Sequence, residues 1–464
     1  MHSLLLAPTD VLFFRDGRPM GGASSGHGAA WPLPTVTNAA LHAALHRADL
    51  QGVHRHVPGR SSIPRDYSEQ IRSEKGRVFG DLRTAGPFPV CTQGDDHTWF
   101  FPRPADADDS GQPILLPHLP SDTFPSSLPL PCRYPVLSTK PPTKDTPKPW
   151  WSEGAWNVYL GSPQRHTLAA RPFFKKDNEF ADTEHTYGIG LDPSTGTVEE
   201  GRFYSASYLR LREHWRLGVL AACADKDFRH PVHGADLIRT LLTGGDSGIL
   251  VGGQQRHCTA RFDPKATARL PLPLGATITG TRVKWVLLTP AIFPAIPDKT
   301  ADGRPMTPHN GGWLPNWVTE REQSFEGESV PAGSVLLLDG LGKEKARRKH
   351  LPPGQPIRAR LVAALVGKPV PVTGYALPHE IADRADGGAK PTHLAVPAGA
   401  VYYFEADSEP DAQKLAAALN WHGGDTAGTT IRNRRSTLLG EKGFGLGVCG
   451  TWTPHPGAPT SPSA

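Results

Sequence analysis

The residues of this chain best suited to binding chemistry lie near its C-terminus, in a run of cations followed by glycines. Arg432, Arg434 and Arg435 precede five glycines, and Lys442 and Phe444 lie among those glycines. Glycine lets a backbone approach another polymer closely with its N–H groups turned outward, and neighbouring cations favour an anionic partner. The exposed-looking ring of Phe444 would give a base a surface to stack on. The pattern fits an anion-binding loop and, equally well, a tight turn before a buried strand.

A second glycine-rich segment, near the N-terminus, carries Arg15, Arg18, Ser24, Ser25 and His27. Arginines and hydroxyls of this kind can pair with phosphates. A histidine among them could hydrogen-bond RNA, or it could act as a general acid or base in metal-free cleavage at a 2′-hydroxyl. Because the sequence places no second histidine or lysine beside His27, binding is the favoured interpretation.

A third glycine-containing segment, 252–256, has the sequence GGQQR. The sequence predicts a turn here, directly after a short strand over 249–251. The glycine spacing near the C-terminus matches neither the G-x-G-x-x-G pattern nor the Walker pattern. No nucleotide cofactor is therefore expected.

Two further patterns could indicate catalysis or metal binding, and both are weak. His42 and His46 stand four residues apart on a predicted helix, but the sequence places no third metal ligand, so a solvated helix face is favoured. The 245–248 segment, GDSG, is similar to the nucleophile segment of trypsin-like proteases, whose other segments are missing here. We expect a turn that ends a helix, and we predict no metal site and no catalytic residue.

The composition allows two or three domains: the chain has 464 residues, a formal net charge of +5 and a pI near 8.9. Mild basicity permits nucleic-acid binding without demanding it. The five cysteines are scattered and include no C-x-x-C pair, which argues against a disulfide framework or a zinc ribbon. No apolar run is long enough to span a membrane, and we expect a soluble cytoplasmic protein.

Apolar periodicity predicts strands and short helices that alternate twice along the chain. A strand over 3–14, interrupted at residues 8–10, precedes a helix that Thr35 or Thr37 would cap. Residues 209–221 alternate as a half-buried strand or bent hairpin arm with a basic outer face. After residue 281 several strands precede a helix that Ser408 would cap. The pattern predicts an α+β fold of two ferredoxin-like (RRM-type) domains with long loop insertions.

The predicted N-terminal domain covers residues 1–278, and the C-terminal domain covers 279–452. An insertion at about 101–150 contains thirteen prolines, so we expect a long loop there that forms no core. The tail 453–464, TPHPGAPTSPSA, is predicted to be disordered.

Motifs spread over nearly the whole chain carry a resemblance to one family: LAPTDVLFFRDGRPM, PLPTVTNAALHAAL, DPSTGTVEEGRFYSASYLRLRE, VGGQQR, KWVLLTPAIFP, GGWLP, VTGY, VPAGAVYYFE and GFGLGVCGTW. In this order they resemble the RAMP-superfamily, Cas5-like third subunit of type III-B (Cmr) CRISPR effector complexes. The chain departs from that family at the 101–150 insertion, at a loop around 342–356, and at Asn38-Ala39. Relatives usually show Gly-Ala followed by an arginine at this last position.

The resemblance implies a specific role. Such subunits consist of two ferredoxin-like domains with a glycine-rich loop after the second domain's last helix. They cap the 5′ tag of the CRISPR RNA and dock the large polymerase-like subunit beside the first backbone subunit. They contact target RNA indirectly, need no cofactor and are not nucleases. On this basis Arg15 and Arg18 would pair with tag phosphates, and the C-terminal loop would close over the tag or press on a neighbouring subunit.

The RNA-binding residues predicted in this way are Arg15, Arg18, Ser24, Ser25, His27, Gly252, Gly253, Gln254, Arg256, Arg432, Arg434, Arg435, Lys442, Gly443, Phe444 and Gly445. The alternative is a metal-independent CRISPR-RNA processing endoribonuclease with a RAMP fold, in which His27 would be the general base. A third, weaker alternative is a protein–protein adaptor whose arginines meet acidic subunits.

Overall fold

The computed structural model describes residues 1–15, 24–25, 31–48, 82–93, 97–119, 128–141, 143–161, 173–224, 236–243, 247–265, 269–300, 303–376, 388–425 and 427–457. The α-helices are α1 Pro34–Arg47, α2 Glu153–Leu160, α3 Leu237–Leu242, α4 Lys343–Arg348 and α5 Glu409–Leu419. The strands are β1 His2–Pro8, β2 Ser24–Ser25, β3 Arg83–Cys91, β4 Thr98–Pro102, β5 Leu115–Pro117, β6 Val136–Ser138, β7 Trp150–Ser152, β8 Phe174–Lys175, β9 Ala181–Leu191, β10 Val198–Leu211, β11 Trp215–Ala222, β12 Ser247–Leu250, β13 His257–Phe262, β14 Arg282–Leu287, β15 Gln323–Phe325, β16 Glu328–Val330, β17 Ala359–Leu365, β18 Val370–Val372, β19 Tyr375–Ala376, β20 Gly388–Ala389, β21 His393–Ala395, β22 Val401–Ala406 and β23 Gly447–Thr451.

The first large sheet has eight strands in the order β12-β13-β1-β11-β3-β4-β7-β8, with antiparallel neighbours. Leu4 and Leu6 of β1 pack with Leu41 and Leu45 of α1, whereas Leu5 joins a different core on the opposite face. Successive strand side chains point to opposite faces, so an unbroken apolar run suits a strand that is covered on both sides.

The second sheet has four antiparallel strands in the order β17-β22-β14-β23. One of its faces packs against α5, which begins where the Ser408 hydroxyl accepts a hydrogen bond from the Asp411 N–H at 3.2 Å, as expected for an N-cap. Its other face packs against the first sheet. Leu5 and Phe88 meet Val286 and Tyr403 in this central core between the two sheets.

The proline-rich 101–150 segment contributes to that central core, contrary to the expectation that no core forms there. The Asp106 carboxylate is fully buried and accepts hydrogen bonds from the hydroxyls of Tyr159 (2.6 Å) and Tyr403 (3.1 Å). It also lies 3.5 Å from the Lys284 Nζ, which stands 3.7 Å from the centroid of the Tyr159 ring. Burial raises the pKa of both tyrosines and lowers the pKa of Lys284. The buried carboxylate of Asp106 therefore joins the segment to α2 through Tyr159 and to two strands of the second sheet through Tyr403 and Lys284.

A long hairpin of β9 and β10 lies beside the first sheet, and β2 pairs with β10 in parallel. Residues 209–221, predicted as a strand or bent hairpin arm, form the end of β10, a turn and β11. Two arginines of the predicted basic face are neutralised: Arg210 pairs with Asp10 and Glu184, and Arg212 pairs with Asp182 at 2.8 Å.

The structure is of the α+β kind that we predicted, with a large antiparallel sheet and few helices. The two ferredoxin-like domains and the division near residue 278 stay predictions. Of the tail, 453–457 are described, and the His455 N–H donates to the Pro117 carbonyl at 2.8 Å, while 458–464 lie outside the described residues. None of the helices formed by the described residues is both long and apolar enough to cross a membrane.

Candidate RNA-binding surface

The 252–256 turn connects β12 to β13 and is fixed by the segment that follows β1. The Gly253 N–H donates to the Phe13 carbonyl at 2.9 Å, and the Val251 N–H donates to the Arg256 carbonyl at 2.8 Å. Gly252 has a φ of +81°, and a Cβ there would overlap the Phe13 carbonyl oxygen. Glycine is therefore required at this position for a close backbone approach.

The next two residues of the turn present polar groups at the surface. Gln254 and Gln255 have φ values of +55° and +54° in the left-handed region, which is uncommon for residues with side chains. Within the described residues, no acceptor is found for the backbone N–H groups of Gln254 and Gln255. Successive N–H groups that lack partners can bind an anion.

An aromatic stack holds the cation of the turn. The Arg256 guanidinium carbon lies 5.0 Å from the centroid of the Tyr208 ring, and the Tyr208 ring lies 5.4 Å from that of Phe13. The Tyr208 hydroxyl donates to Gln254 Oε1 at 2.9 Å, and Arg256 Nη2 lies 3.4 Å from the same oxygen. Since the oxygen side of the Gln254 amide is occupied, its NH₂ group is left to donate outward.

The carboxylate of Asp10 lies close to the arginine of this turn and to a second arginine on β10. Asp10 lies 3.6 Å from Arg256 Nη1 and 2.9 Å from Arg210 Nη2, and it is exposed. Hydrogen bonds from Arg210 to Glu184 and Asp10 raise the pKa of that arginine. Of the two arginines, Arg256 makes the longer ion pair, so its charge is less completely compensated.

The N-terminal glycine-rich segment reaches the same strand. Leu12 bridges to Leu209 of β10 through two backbone hydrogen bonds of 2.8 Å, and the exposed Arg15 follows three residues later. Ser24 and Ser25 pair through their backbones with residues 204 and 205 of β10. Two of the three predicted segments thus meet the strand that carries Tyr208. Arg18 and His27 lie outside the described residues.

The C-terminal glycine-rich segment, 439–445, is built differently. Its backbone N–H groups donate inward: Lys442 and Phe444 to the Leu439 carbonyl, Gly443 to the Gly440 carbonyl at 3.0 Å, and Gly445 to the Pro290 carbonyl at 2.7 Å. The expectation that these N–H groups point outward is therefore wrong, because they already have partners within the fold.

The expectation that Phe444 is an exposed stacking ring is also wrong. Its ring is 0% exposed and packs in a small core with Ile292, Val372, Ala395 and Leu438. A ring in this position excludes water from the loop and cannot meet a base without unpacking.

The same loop lies against the N-terminal part of the chain. A Cβ on Gly443 would stand 2.9 Å from the Ala85 Cα, and the Lys442 carbonyl accepts a hydrogen bond from the Thr84 hydroxyl at 3.2 Å. Asn38 of α1 in turn donates to that hydroxyl at 3.1 Å. In this structure the loop contacts the first sheet and its helix.

Two of the three arginines before the loop are also largely buried. Burial lowers the pKa of Arg434 and of Arg435 to about 10, and Arg435 Nε donates to the Ala418 carbonyl at 2.7 Å. Arg432 is exposed but forms an ion pair with Asp425 at 3.0 Å. Arg432 and Arg435 therefore interact within the protein, whereas Arg434 Nε and Nη2 are buried with no hydrogen-bond partner among the described residues.

Comparison with known proteins places the chain in a family. A model described as CRISPR-associated protein (Cas_Cmr3) matches residues 4–452. The chain belongs to this family. The predicted resemblance to the RAMP-superfamily, Cas5-like subunit of the Cmr type is thereby confirmed.

Among solved structures, a chain of type III-B Cmr-beta bound to cognate target RNA aligns with a TM-score of 0.38 and 13% identity, covering 86% of both chains. A chain of the Csm3-Csm4 subcomplex in the type III-A CRISPR-Cas interference complex gives 0.30 and 10%, covering 88% of this chain and 93% of that one. No curated protein matches significantly. These scores are too low to assign a role.

The sequence did not indicate the aromatic part of this surface. Phe13 and Tyr208 lie far from the 252–256 turn in sequence, and each is flanked by apolar or alternating residues that indicate only a strand. The available signal was the spacing of Tyr208 and Arg210 on one side of β10, since alternate residues share a face. Within the described ranges, no three His, Cys, Asp or Glu side chains are grouped as metal ligands would be.

Proposed function

We propose that this protein is a non-catalytic RNA-binding subunit of a type III-B (Cmr) CRISPR interference complex, which caps the 5′ tag of the CRISPR RNA. Membership of the Cas_Cmr3 family supports a role in the complex, and the Arg256 guanidinium over the Tyr208 ring, which packs against Phe13, supports RNA binding. Single-stranded RNA is recognised by stacking, phosphate pairing and 2′-hydroxyl contacts, and this surface presents groups for all three.

The turn would bind RNA through its cation and its backbone together. Arg256 lies with one face on Tyr208, so the other face of its guanidinium would be open to a base, and the long ion pair with Asp10 would leave part of its charge for a phosphate. The N–H groups of Gln254 and Gln255 would add a second phosphate contact. Arg15 would pair with a neighbouring phosphate at the end of the segment that supports the turn.

The two ferredoxin-like units belong to this proposal. In the first sheet, β13-β1-β11-β3 is the order of a βαββαβ unit, with α1 after β1 and α3 after β11. In the second sheet, β23-β14-β22-β17 has the same order, with α5 between β22 and β23. The repeated order supports a division of the chain near residue 278.

The direct experiment is fluorescence anisotropy with a short RNA that carries the 5′ tag. We expect Arg15→Ala/Arg256→Ala to weaken binding roughly 10- to 100-fold, since each lost phosphate or base contact costs about 1–3 kcal/mol. The control is Arg358→Ala/Arg432→Ala, which removes the same charge from two exposed, ion-paired arginines. Equal affinity of the two double variants would reject the surface.

Absence of catalysis is tested separately. Purified protein incubated with repeat RNA in EDTA should bind without cleaving it. Cleavage that is lost in His27→Ala would favour the processing endoribonuclease.

Docking of the large polymerase-like subunit and of a backbone subunit is tested by co-purification from co-expressing cells. Failure of both to co-purify would reject the scaffold role. Assembly that is insensitive to salt and carries no RNA would favour the adaptor.

A further inference from the structure

A short segment of the second half concentrates positive charge. Residues 342–351, GKEKARRKHL, contain five lysines and arginines against the single acid Glu344, a formal +4 within a chain whose total is +5. This charge is concentrated on α4 and the turn after it, which we call the basic knuckle (residues 343–350). A concentration of one sign on one element is the electrostatic pattern of a polyanion contact.

The fold holds the basic knuckle in place. Ala346 is buried, and its carbonyl accepts a hydrogen bond from the Leu351 N–H at 3.0 Å. At the base of the loop, a Cβ on Gly354 would stand 2.5 Å from the Gly340 nitrogen, and the Gly354 N–H donates to the Leu341 carbonyl at 2.8 Å. The close approach of these two glycines closes the loop, so the cations project from a fixed base.

Most of the cations are not neutralised by the protein. Lys345, Arg347 and Lys349 are exposed, and among the described residues none of them forms an ion pair. Lys343 pairs with Glu326 at 2.8 Å and Arg348 pairs with Glu344 on the same helix. Cations in a last helical turn also favour the helix through its dipole, but that role needs no cluster of this size.

The basic knuckle differs in character from a protein-docking surface. Interfaces between proteins are depleted of lysine and are centred on buried aromatic or apolar residues. Here the exposed apolar side chain in the segment is Leu351, at the edge of the cluster. The loop leads into β17, the edge strand of the second sheet, whereas the 252–256 turn belongs to the first sheet.

We propose that the basic knuckle binds the sugar–phosphate backbone of RNA at a site separate from the 252–256 turn. Side chains three or four residues apart on a helix are neighbours, so Lys345 and Lys349, the C-cap residue of α4, lie on one side of it, and Arg347 adds a third charge to the same short segment. Contacts of this kind are independent of sequence, and they extend the RNA held by this subunit beyond the segment bound at the turn.

The test uses the full chain, two RNAs and two matched triple variants. The first RNA consists of the 5′ tag alone, and the second continues past the tag for about twenty nucleotides. Lys345→Gln/Arg347→Gln/Lys349→Gln removes three charges from the basic knuckle. Lys144→Gln/Lys299→Gln/Lys368→Gln removes three charges from exposed, dispersed positions. Circular dichroism and thermal unfolding confirm that both variants fold, since exposed substitutions change stability little.

We expect the knuckle variant to bind the long RNA about tenfold more weakly than wild type, with the slope of log K against log salt reduced by about 2. Its affinity for the tag alone should change less than twofold, and the dispersed variant should behave like wild type on both RNAs. Equal losses in the two triple variants, or an unchanged salt slope, would overturn the proposal.

Two other outcomes are distinguishable. Unchanged RNA affinity with loss of a co-purifying subunit in the knuckle variant would overturn the proposal and show a protein contact instead. Failure of wild-type protein to bind the tag RNA, while it binds the long RNA through the knuckle, would reject the tag-capping function and leave this inference standing.

Discussion

Two glycine-containing segments of this protein look alike in sequence and differ in structure. The 252–256 turn and the 439–445 loop each contain glycines and a cation. The turn follows β12, and the loop precedes β23. In the turn, Arg256 lies at the surface on an aromatic stack, and two N–H groups lack acceptors among the described residues. In the loop, four successive N–H groups donate to the chain's own carbonyls, and the aromatic residue is buried.

The difference shows that glycine allows a close approach without deciding which polymer approaches. In the loop the approaching polymer is the protein's own backbone: Ala85 faces Gly443 and Ser436 faces Gly445. In the turn, Gly252 also packs against the protein, at the Phe13 carbonyl, but the residues after it remain at the surface. Whether the backbone N–H groups already have acceptors within the protein therefore distinguishes a structural glycine loop from a binding one.

The largest expected effect is a loss of stability when the buried ring of Phe444 is removed from the 439–445 loop. Phe444→Ala should lower the free energy of unfolding by about 3–5 kcal/mol, because it empties a fully buried aromatic site. The RNA affinity of the folded fraction should not change. Urea denaturation measures the first quantity and anisotropy the second. Phe173→Ala, at an exposed position, is the control and should cost much less. If the variant kept its stability but lost RNA affinity, Phe444 would be a ring that stacks on RNA and not a packing residue.

A smaller effect is expected at the backbone of the loop. Gly445 has a φ of +75°, and a Cβ there would overlap the Ser436 nitrogen, so Gly445→Ala should destabilise the protein by about 3 kcal/mol. Thermal unfolding provides the measurement. Gly424→Ala serves as the control because a Cβ at Gly424 meets nothing within 4 Å. If both variants unfold alike, the loop is not tightly packed.

The smallest expected effect is on RNA affinity and comes from Gln254 in the 252–256 turn. Gln254→Leu removes the acceptor of the Tyr208 hydroxyl and of Arg256, so it should weaken tag-RNA binding about threefold to fivefold, consistent with a loss of about 1 kcal/mol. Gln255→Leu has the same left-handed backbone and should change affinity less than twofold. Titrations of the two variants side by side give the comparison. Equal losses would mean that the strained backbone, and not the Gln254 amide, matters.

Parts of the fold could be predicted from local sequence because local chemistry decides them. Ser408 caps α5 as expected, and Leu41, Ala44 and Leu45 form the buried face of α1. The beginning of α1 was predicted wrongly. The helix starts at Pro34, ahead of the two threonines, because proline suits the first helical position.

What the sequence could not predict are contacts between distant segments. The prolines of the 101–150 region predict no core there, yet Asp106 within it is hydrogen-bonded to Tyr403, 297 residues away. The Thr84 hydroxyl meets the Lys442 carbonyl across 358 residues. At the candidate site the glycines and Arg256 were found from their types, whereas the stack on Tyr208 depends on how β10 passes the turn. Residue types identify candidate binding groups, and burial decides which of them are available.

The central claim is that RNA is held at the 252–256 turn and not at the C-terminal glycine loop. The most direct test compares the cations of the two segments, Arg256→Ala and Lys442→Ala, by the anisotropy of a 5′-tagged RNA at fixed salt. The account predicts about a tenfold loss of affinity for Arg256→Ala and less than a twofold change for Lys442→Ala. An equal loss in both variants, or a larger loss for Lys442→Ala, would contradict it.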